Sequence, residues 1–454
     1  MMRSINPATG EEIKSYPEMN TEEINSILIN ADKSFESWKE TSFAFRAEKM
    51  KAAGSVLRKR REELSHLMTI EMGKPILQSR SEIDKCALAC DYYAENSEKY
   101  LSDENVVTEA GNSFITFKPL GVILAIMPWN FPFWQVFRFA APNLMAGNAG
   151  VLKHSSNVTG CGLAIENVFR EAGFPENLFR TLIVPSSKVN EIISHYKIKA
   201  VTLTGSVPAG KAVALAAGSV LKKTVLELGG SDPYIILEDA DLEQAAELCV
   251  SSRLINGGQS CIAAKRFIIV EQVYDKFEKL FKDKMSSRIM GDPMKEETNV
   301  GPQARADLRD ELHSQVLRSV ECGARVLLGG KIPDLIGAYY PPTVLSNVLP
   351  DSPAYKEELF GPVAALIKAK NEDDAVRIAN DSDFGLGAAV FTKNIERGEK
   401  IAREKLNAGN CFVNDFVKSD PRLPFGGVKD SGYGRELSIF GIREFVNIKT
   451  VYRK

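Results

Sequence analysis

Residues 122–132, VILAIMPWNFP, begin with an apolar run that ends at Met127, with a strand expected at 122–126, and continue into two closely spaced prolines. The run is too short to span a bilayer, and its composition is typical of a strand buried on both faces of a parallel sheet. Similar runs follow at 149–153, 181–184, 200–204 and 224–228, and helical stretches separate most of them. This alternation predicts right-handed βαβ units and an α/β fold.

A second α/β series begins after Gly230, with further strands expected at 234–237, 266–270, 363–369, 387–391 and 410–414. Helical spacing before residue 101 predicts one helix from about Thr21 and two more at 45–69 and 78–100. Residues 106–117 are predicted to form a hairpin around 110–112, and 445–452 another strand. Strand addition between subunits would give that hairpin a partner. We therefore expect two α/β domains with parallel sheets and a small β arm.

Composition excludes several classes of protein. The 454 residues carry a net charge of −2, which argues against non-specific binding to nucleic acid or a membrane. The N-terminus has no apolar signal segment, so a cytoplasmic location is expected. Seven scattered cysteines do not resemble a disulfide framework, and four histidines show no metal-binding spacing, so we expect no metal.

Three side chains carry candidate chemistry. Cys261 ends a glycine-rich turn, NGGQSC at 256–261, where it is either a nucleophile or one more packed thiol. Glu227 precedes an apolar residue and two glycines, so it is either a desolvated general base or a strand-edge carboxylate facing water. Asn130 lies between two prolines directly after a strand, where its amide can donate to an oxyanion.

Residues 204–212, TGSVPAGKA, follow a strand and nearly match a phosphate-binding loop. Ala212 stands where such loops carry Ser or Thr, so the magnesium ligand is missing and an NTPase is disfavoured. The chain also lacks the G-x-G-x-x-G fingerprint of ordinary dinucleotide sites. A helix N-terminus that contacts phosphate remains compatible with this stretch.

Motifs along nearly the whole chain resemble those of the aldehyde dehydrogenase superfamily. They are NPATG at 6–10, WNFP at 129–132, ELGG at 227–230, GQSC at 258–261, EELFGP at 357–362, PFGGVK at 424–429 and SGYGRE at 431–436. The resemblance implies a Rossmann-like cofactor domain (1–101 and 119–229), a catalytic domain (230–430) and an oligomerisation arm and tail (102–118 and 431–454). It also implies a homodimer or homotetramer.

The resemblance implies a mechanism as well. Cys261 would attack an aldehyde to give a thiohemiacetal, whose oxyanion Asn130 and the Cys261 backbone N–H would hold. Hydride transfer to a nicotinamide would leave a thioester, which water activated by Glu227 would hydrolyse. Gly257 and Gly258 would leave room for the nicotinamide beside the thiol. Ile262 and Ala263 follow the nucleophile, so no switch between adjacent cysteines is expected.

The cofactor positions implied by the resemblance are Ile126, Trp129, Lys153, Ser156, Gly205, Ser206, Leu228, Glu358 and Phe360. Glu358 and Phe360 would position the nicotinamide ribose and ring. NAD-preferring relatives carry a Glu three residues after the lysine, whereas this chain has Ser156. A carboxylate would repel the 2′-phosphate of NADP and a serine would not, so NADP is expected in preference to NAD.

Arg138 and Ser419 match substrate-binding positions of bacterial succinate-semialdehyde dehydrogenases, the branch that this chain resembles most. An arginine can bind the substrate carboxylate in bidentate fashion. The second arginine that some of those enzymes have is replaced by Ile255. Three alternatives remain: a broad-specificity dehydrogenase with a structural Arg138, a non-catalytic cofactor-binding protein of the same fold, and a thiol-dependent esterase.

Overall fold

The computed structural model describes all residues 1–454. A two-stranded sheet, four helices and part of a β arm form the N-terminal segment. In chain order these elements are β1 (Met2–Ile5), β2 (Glu12–Tyr16), α1 (Thr21–Trp38), α2 (Phe43–Lys59), α3 (Arg61–Met72), α4 (Ile76–Leu101), β3 (Glu104–Asn105) and β4 (Asn112–Pro119). Helix α1 begins at a capping box, in which Asn20 and Glu23 satisfy each other's backbone N–H groups.

The first parallel sheet follows directly. Its elements are β5 (Val122–Met127), α5 (Trp134–Met145), β6 (Ala149–His154), α6 (Thr159–Glu171), β7 (Phe179–Thr181), α7 (Val189–Ser194), β8 (Ile198–Thr204), α8 (Val207–Ser219) and β9 (Lys223–Glu227). Strand β5 pairs with both β6 and β8 and is buried on both faces, as its unbroken apolar sequence predicts. The carboxyl ends of β5, β8 and β9 therefore meet at one edge.

The rest of the chain forms a second sheet and returns to the first. Its elements are β10 (Pro233–Ile236), α9 (Leu242–Leu254), β11 (Arg266–Val270), α10 (Tyr274–Ser286), α11 (Ala306–Glu321), β12 (Arg325–Leu328), β13 (Thr343–Ser346), α12 (Pro353–Lys356), β14 (Val363–Ala369), α13 (Glu372–Asn380), β15 (Phe384–Gly385), β16 (Gly387–Phe391), α14 (Ile395–Lys400), β17 (Asn410–Val413), β18 (Val428–Lys429), β19 (Gly432–Tyr433), α15 (Ser438–Arg443) and β20 (Val446–Arg453).

Two sheets dominate the architecture. The six-stranded sheet has the order β19-β9-β8-β5-β6-β7, and the seven-stranded sheet the order β12-β13-β14-β11-β10-β16-β17. The largest hydrophobic core surrounds the first sheet, and two smaller cores cover the faces of the second. The predicted α/β class with parallel sheets is confirmed. None of the helices combines the length and the apolar character that a membrane-spanning segment needs.

Outside the β arm, two local predictions differ from the structure and two strands were missed. The helix predicted at 45–69 is two helices, because Arg60 leaves helical geometry (φ −100°, ψ 15°) and its guanidinium bonds Glu63 and Glu171 at the corner. The strand predicted at 181–184 is displaced to β7, since the Ile183 carbonyl instead accepts a hydrogen bond from the Met19 N–H. Strands β12 and β13 were not predicted.

The β arm also differs from the prediction. The first hairpin strand is only Glu104–Asn105, so the turn is longer than residues 110–112. The predicted C-terminal strand exists as β20 and pairs with all of β4, from Asn112↔Arg453 to Pro119↔Val446. The chain itself therefore supplies the partner of β4, and the outer edge of β20 remains unpaired.

Candidate active site

A cavity of about 380 Å³ opens at the edge where β5, β8 and β9 end. Side chains and backbone from both parallel sheets line it. Of the predicted site residues, it brings together Trp129, Asn130, Gly205, Ser206, Leu228, Cys261, Glu358 and Phe360. Helix α11 and Phe384 contribute further walls, together with residues at the starts of α5 and α8. Segments far apart in the sequence thus converge on the Cys261 thiol.

The turn that carries Cys261 is fixed by its backbone. Asn256, Gly257 and Gly258 all have positive φ, at 53°, 60° and 78°. A Cβ added at Gly258 would lie 2.2 Å from the carbonyl oxygen of Gly361. Glycine at this position therefore lets the nucleophile turn pack against the backbone of the EELFGP motif. The expectation that Gly258 leaves room for a nicotinamide is corrected, because protein backbone occupies that space.

Asn130 is buried and lies against the same turn. Its Nδ2 donates to the Gln259 carbonyl at 3.1 Å. Asn256, which sequence reasoning missed, donates from its Nδ2 to the carbonyl oxygens of Asn130 (2.7 Å) and Gln259 (3.2 Å). Asn256 thus ties the oxyanion loop to the nucleophile turn. Its only sequence signal is an asparagine next to two glycines, a residue that tolerates positive φ.

Lys265 is a second residue that the sequence did not single out. Its fully buried ammonium donates to the Ser260 and Cys261 carbonyls at 2.8 and 2.7 Å and lies 3.3 Å from Glu358 Oε1. The Gly230 N–H donates to the same Glu358 oxygen at 3.0 Å. Lys265 therefore connects the nucleophile turn to the carboxylate that was assigned to the nicotinamide ribose.

Burial raises the pKa of the Cys261 thiol to about 12, and the positive charges of Lys265 and Arg138 act in the opposite direction. A thiol in this environment is protonated at neutral pH and needs a base or a bound ligand to become a nucleophile. All seven cysteines are free.

Glu227 is only 2% exposed, so the alternative of a water-facing carboxylate is excluded. Neither of its oxygens has a hydrogen-bond partner within the protein. Burial raises the pKa of Glu227 well above its usual range, and the nearby Glu436 carboxylate raises it further. A buried polar group without partners costs free energy, which favours a site built to engage water or substrate.

Arg138, on α5, and Ser419, which packs beside that helix, are both buried. Arg138 forms an ion pair with the buried Glu436 and donates to Thr204 Oγ1 at 3.3 Å. Trp134, one helical turn before Arg138, donates from its indole nitrogen to Ser419 Oγ at 3.1 Å. Residues four apart share one helix face, so Trp134 and Arg138 face the same region. Trp134 and Arg138 follow Asn130 by four and eight residues along the chain.

The cofactor positions fit a dinucleotide. Ser206 precedes α8 without capping it, so the first-turn N–H groups of this helix have no side-chain partner, as an anion site requires.

Lys153, at the end of β6, is buried and has neither an ion-pair nor a hydrogen-bond partner. Ser156 is exposed at the turn after Lys153, and Ile126 lies next to Lys153 in the sheet. Trp129 and Phe360 meet edge-on at 5.7 Å.

A family model described as the aldehyde dehydrogenase family matches residues 1–451. The chain belongs to the aldehyde dehydrogenase family. The predicted family, and with it the prediction of an oxidoreductase that acts on aldehydes with a nicotinamide cofactor, is confirmed.

Individual relatives of this aldehyde dehydrogenase agree over the full length. The chain is 50% identical over 449 residues to the "Probable succinate-semialdehyde dehydrogenase [NADP(+)]" of Synechocystis sp., covering 99% of each chain. It is 49% identical over 450 residues to the "Succinate semialdehyde dehydrogenase [NAD(P)+] Sad" of Escherichia coli K12, covering 99% of this chain and 97% of that one. The succinic semialdehyde dehydrogenase of Streptococcus pyogenes, solved with NADP+, is 36% identical with a TM-score of 0.97 and coverages of 100% and 99%.

Proposed function

We propose that this aldehyde dehydrogenase oxidises succinate semialdehyde to succinate. The observation that carries the proposal is an interior group of hydrogen-bond donors, formed by Arg138 and Trp134 on α5, the helix that follows Asn130, and by Ser419 from the loop after β17. Donors and a guanidinium suit a carboxylate at the far end of a short aldehyde. The names of the Synechocystis and E. coli relatives support the same substrate.

In the proposed mechanism, the Cys261 thiolate adds to the aldehyde carbon, and Asn130 Nδ2 donates to the oxygen that becomes negative. A nicotinamide cofactor held by Glu358 and Phe360 would supply the hydride acceptor. The acyl group then remains on Cys261 as a thioester. Glu227 removes a proton from the attacking water, and the thiol is released together with succinate. Lys265 keeps its hydrogen bonds to the Ser260 and Cys261 carbonyls during all of these steps.

The proposed substrate is tested by the initial rate of cofactor reduction at 340 nm with succinate semialdehyde and with butanal, an uncharged aldehyde of the same carbon number. We expect kcat/KM for succinate semialdehyde to exceed that for butanal by about tenfold or more, the minimum expected for a charged hydrogen bond. Equal values would favour the broad-specificity alternative, and no reduction with either aldehyde would favour the esterase or the binding protein.

For the cofactor, we propose NADP in preference to NAD. Lys153, buried and unpaired, lies near the end of β6, and the neutral Ser156 follows three residues later in the turn after the strand. A cation can bind the 2′-phosphate there, and no carboxylate repels it. The NADP-dependent names and the NADP-bound S. pyogenes structure among the relatives support this choice.

Ser156→Glu is expected to lower kcat/KM for NADP at least about tenfold relative to NAD, because like charges in proximity cost energy while the ribose hydroxyls of NAD gain an acceptor. The measurement is kcat/KM for both cofactors at a fixed aldehyde concentration. Ser55→Glu, on the exposed side of α2, adds the same charge away from the cavity and serves as the control. An unchanged cofactor ratio in Ser156→Glu would contradict the role of this position.

We further propose that the chain divides as the resemblance implies, with a cofactor domain, a catalytic domain and an arm, and that it assembles as a homodimer or homotetramer. The unpaired edge of β20 and the exposed side chains of Ile448 and Tyr452 support assembly through the arm. Exposed edges of this kind readily pair with a second chain.

A further inference from the structure

We propose that Lys85, on α4, is a specificity-determining residue that binds the carboxylate of the aldehyde substrate together with Ser419. This inference rests on the proposed function and extends it, since sequence comparison pointed only to Arg138 and Ser419. Lys85 Nζ donates to Ser419 Oγ at 2.8 Å and lies 4.2 Å from the centre of a Trp134 ring.

The hydrogen-bond pattern at Ser419 leaves one donor free. Its oxygen accepts from both Lys85 Nζ and Trp134 Nε1, and neither partner can accept a bond in return. The Ser419 hydroxyl hydrogen must therefore point to another acceptor, and the structure provides none. Lys85 keeps two further N–H donors without partners. A partly buried group of donors alone is suited to an anion.

The charge balance around the group singles out Lys85. Arg138 is already paired with Glu436. The other carboxylates that face Lys85 are also engaged, Glu82 with Lys74 and Asp420 with Arg422. Lys85 itself forms no ion pair. Burial and the charge of Arg138 lower the pKa of Lys85 to about 8. The unbalanced positive charge in this region thus belongs to Lys85, and a substrate carboxylate would neutralise it.

Helix α4, which carries Lys85, is also linked to the loop that carries Asn130. Glu82, one turn before Lys85, accepts hydrogen bonds from the Phe133 and Trp134 N–H groups at 2.9 Å each. The same loop carries Asn130. Helix α4 therefore holds the start of α5, and Lys85 and Trp134 converge on Ser419 a short distance along the chain from the oxyanion donor.

The test compares kcat/KM for succinate semialdehyde and butanal in the wild-type enzyme and in Lys85→Met, an unbranched neutral replacement. We expect kcat/KM for succinate semialdehyde to fall by about 10- to 100-fold through KM, and that for butanal to change by less than about threefold. Activity with butanal reports that the variant is folded. Lys99→Met, an exposed lysine on the same helix, is the control and should change neither value.

The pH dependence provides a second readout. The ionisation of Cys261 and Glu227 affects kcat/KM for both substrates in the same way. Its contribution therefore cancels in the ratio of kcat/KM for succinate semialdehyde to kcat/KM for butanal. Lys85 loses its charge as pH rises through about 8, so the wild-type ratio should fall there. In Lys85→Met the ratio should be flat, and in Lys85→Arg it should stay high, since a guanidinium remains protonated. Glu82, Cys86, Arg138 and Asp420 are the ionisable groups facing Lys85, and their charges influence the midpoint.

The kinetic results with the two aldehydes distinguish a failure of the Lys85 role from a failure of the proposed function. If the wild-type enzyme does not prefer succinate semialdehyde, the proposed function itself is overturned. If it does, and Lys85→Met loses activity equally with both aldehydes or with neither, the carboxylate role of Lys85 is overturned while the substrate stands.

Discussion

Asn130→Asp lowers kcat about 100- to 1000-fold in our expectation, because the variant replaces the Nδ2 donor by an oxygen at the point where negative charge develops. The aspartate has nearly the same size but also loses the hydrogen bond to the Gln259 carbonyl, so the state of the thiol is checked separately. Asn130 Nδ2 contacts the Gln259 carbonyl two residues before the nucleophile, which places the donor beside the thiol. KM for the aldehyde should change little, since the interaction strengthens in the transition state rather than in the bound substrate.

The measurement for Asn130→Asp is steady-state kcat and KM, with alkylation of Cys261 by iodoacetamide as an independent probe of the thiol. Asn25→Asp, exposed on α1 and not among the residues that line the cavity, introduces the same change and should behave as wild type. A decrease in kcat smaller than about tenfold would contradict the role of Asn130 as an oxyanion donor, because removal of a single donor of this type lowers kcat by more than that.

The sequence was sufficient for residues whose role follows from local chain geometry. Asn130 follows an apolar strand and lies between prolines, and Cys261 ends a glycine-rich turn, so both candidates were visible without tertiary information. The central strands were predicted within one or two residues because burial on both faces requires continuous apolar sequence. Strand β12 is half exposed and lies at a sheet edge, so its pattern is weak.

The residues that hold the site together were not predictable from the sequence. Lys265, Asn256 and Lys85 each also contact a distant segment, up to 334 residues away for Lys85 and Ser419, and nothing in their neighbouring sequence indicates those distant partners. A lysine at helical spacing on α4 is typical of a solvated surface. Only the fold shows that Lys85 faces Ser419 and that the neighbouring carboxylates are already paired.

Glu227→Gln should lower steady-state kcat by about 100- to 10,000-fold, the range for removal of a general base. The first turnover should survive, because hydride transfer precedes the step that needs this base. We therefore expect a burst of reduced cofactor close to one equivalent per active site, followed by a slow phase that reports thioester hydrolysis. Rapid mixing with absorbance at 340 nm measures both phases.

The environment of Glu227 makes this variant informative about the order of steps. The wild-type carboxyl is buried without a hydrogen-bond partner and its pKa is raised by burial and by Glu436, so a neutral amide of equal size should not destabilise the fold. Glu176→Gln, exposed before β7, is the matched control and should show wild-type turnover. Loss of the burst in Glu227→Gln would mean that this residue deprotonates the Cys261 thiol before acylation. Glu227 would then act as the base for the Cys261 thiol, whose raised pKa of about 12 means that the thiol needs a base to become a nucleophile.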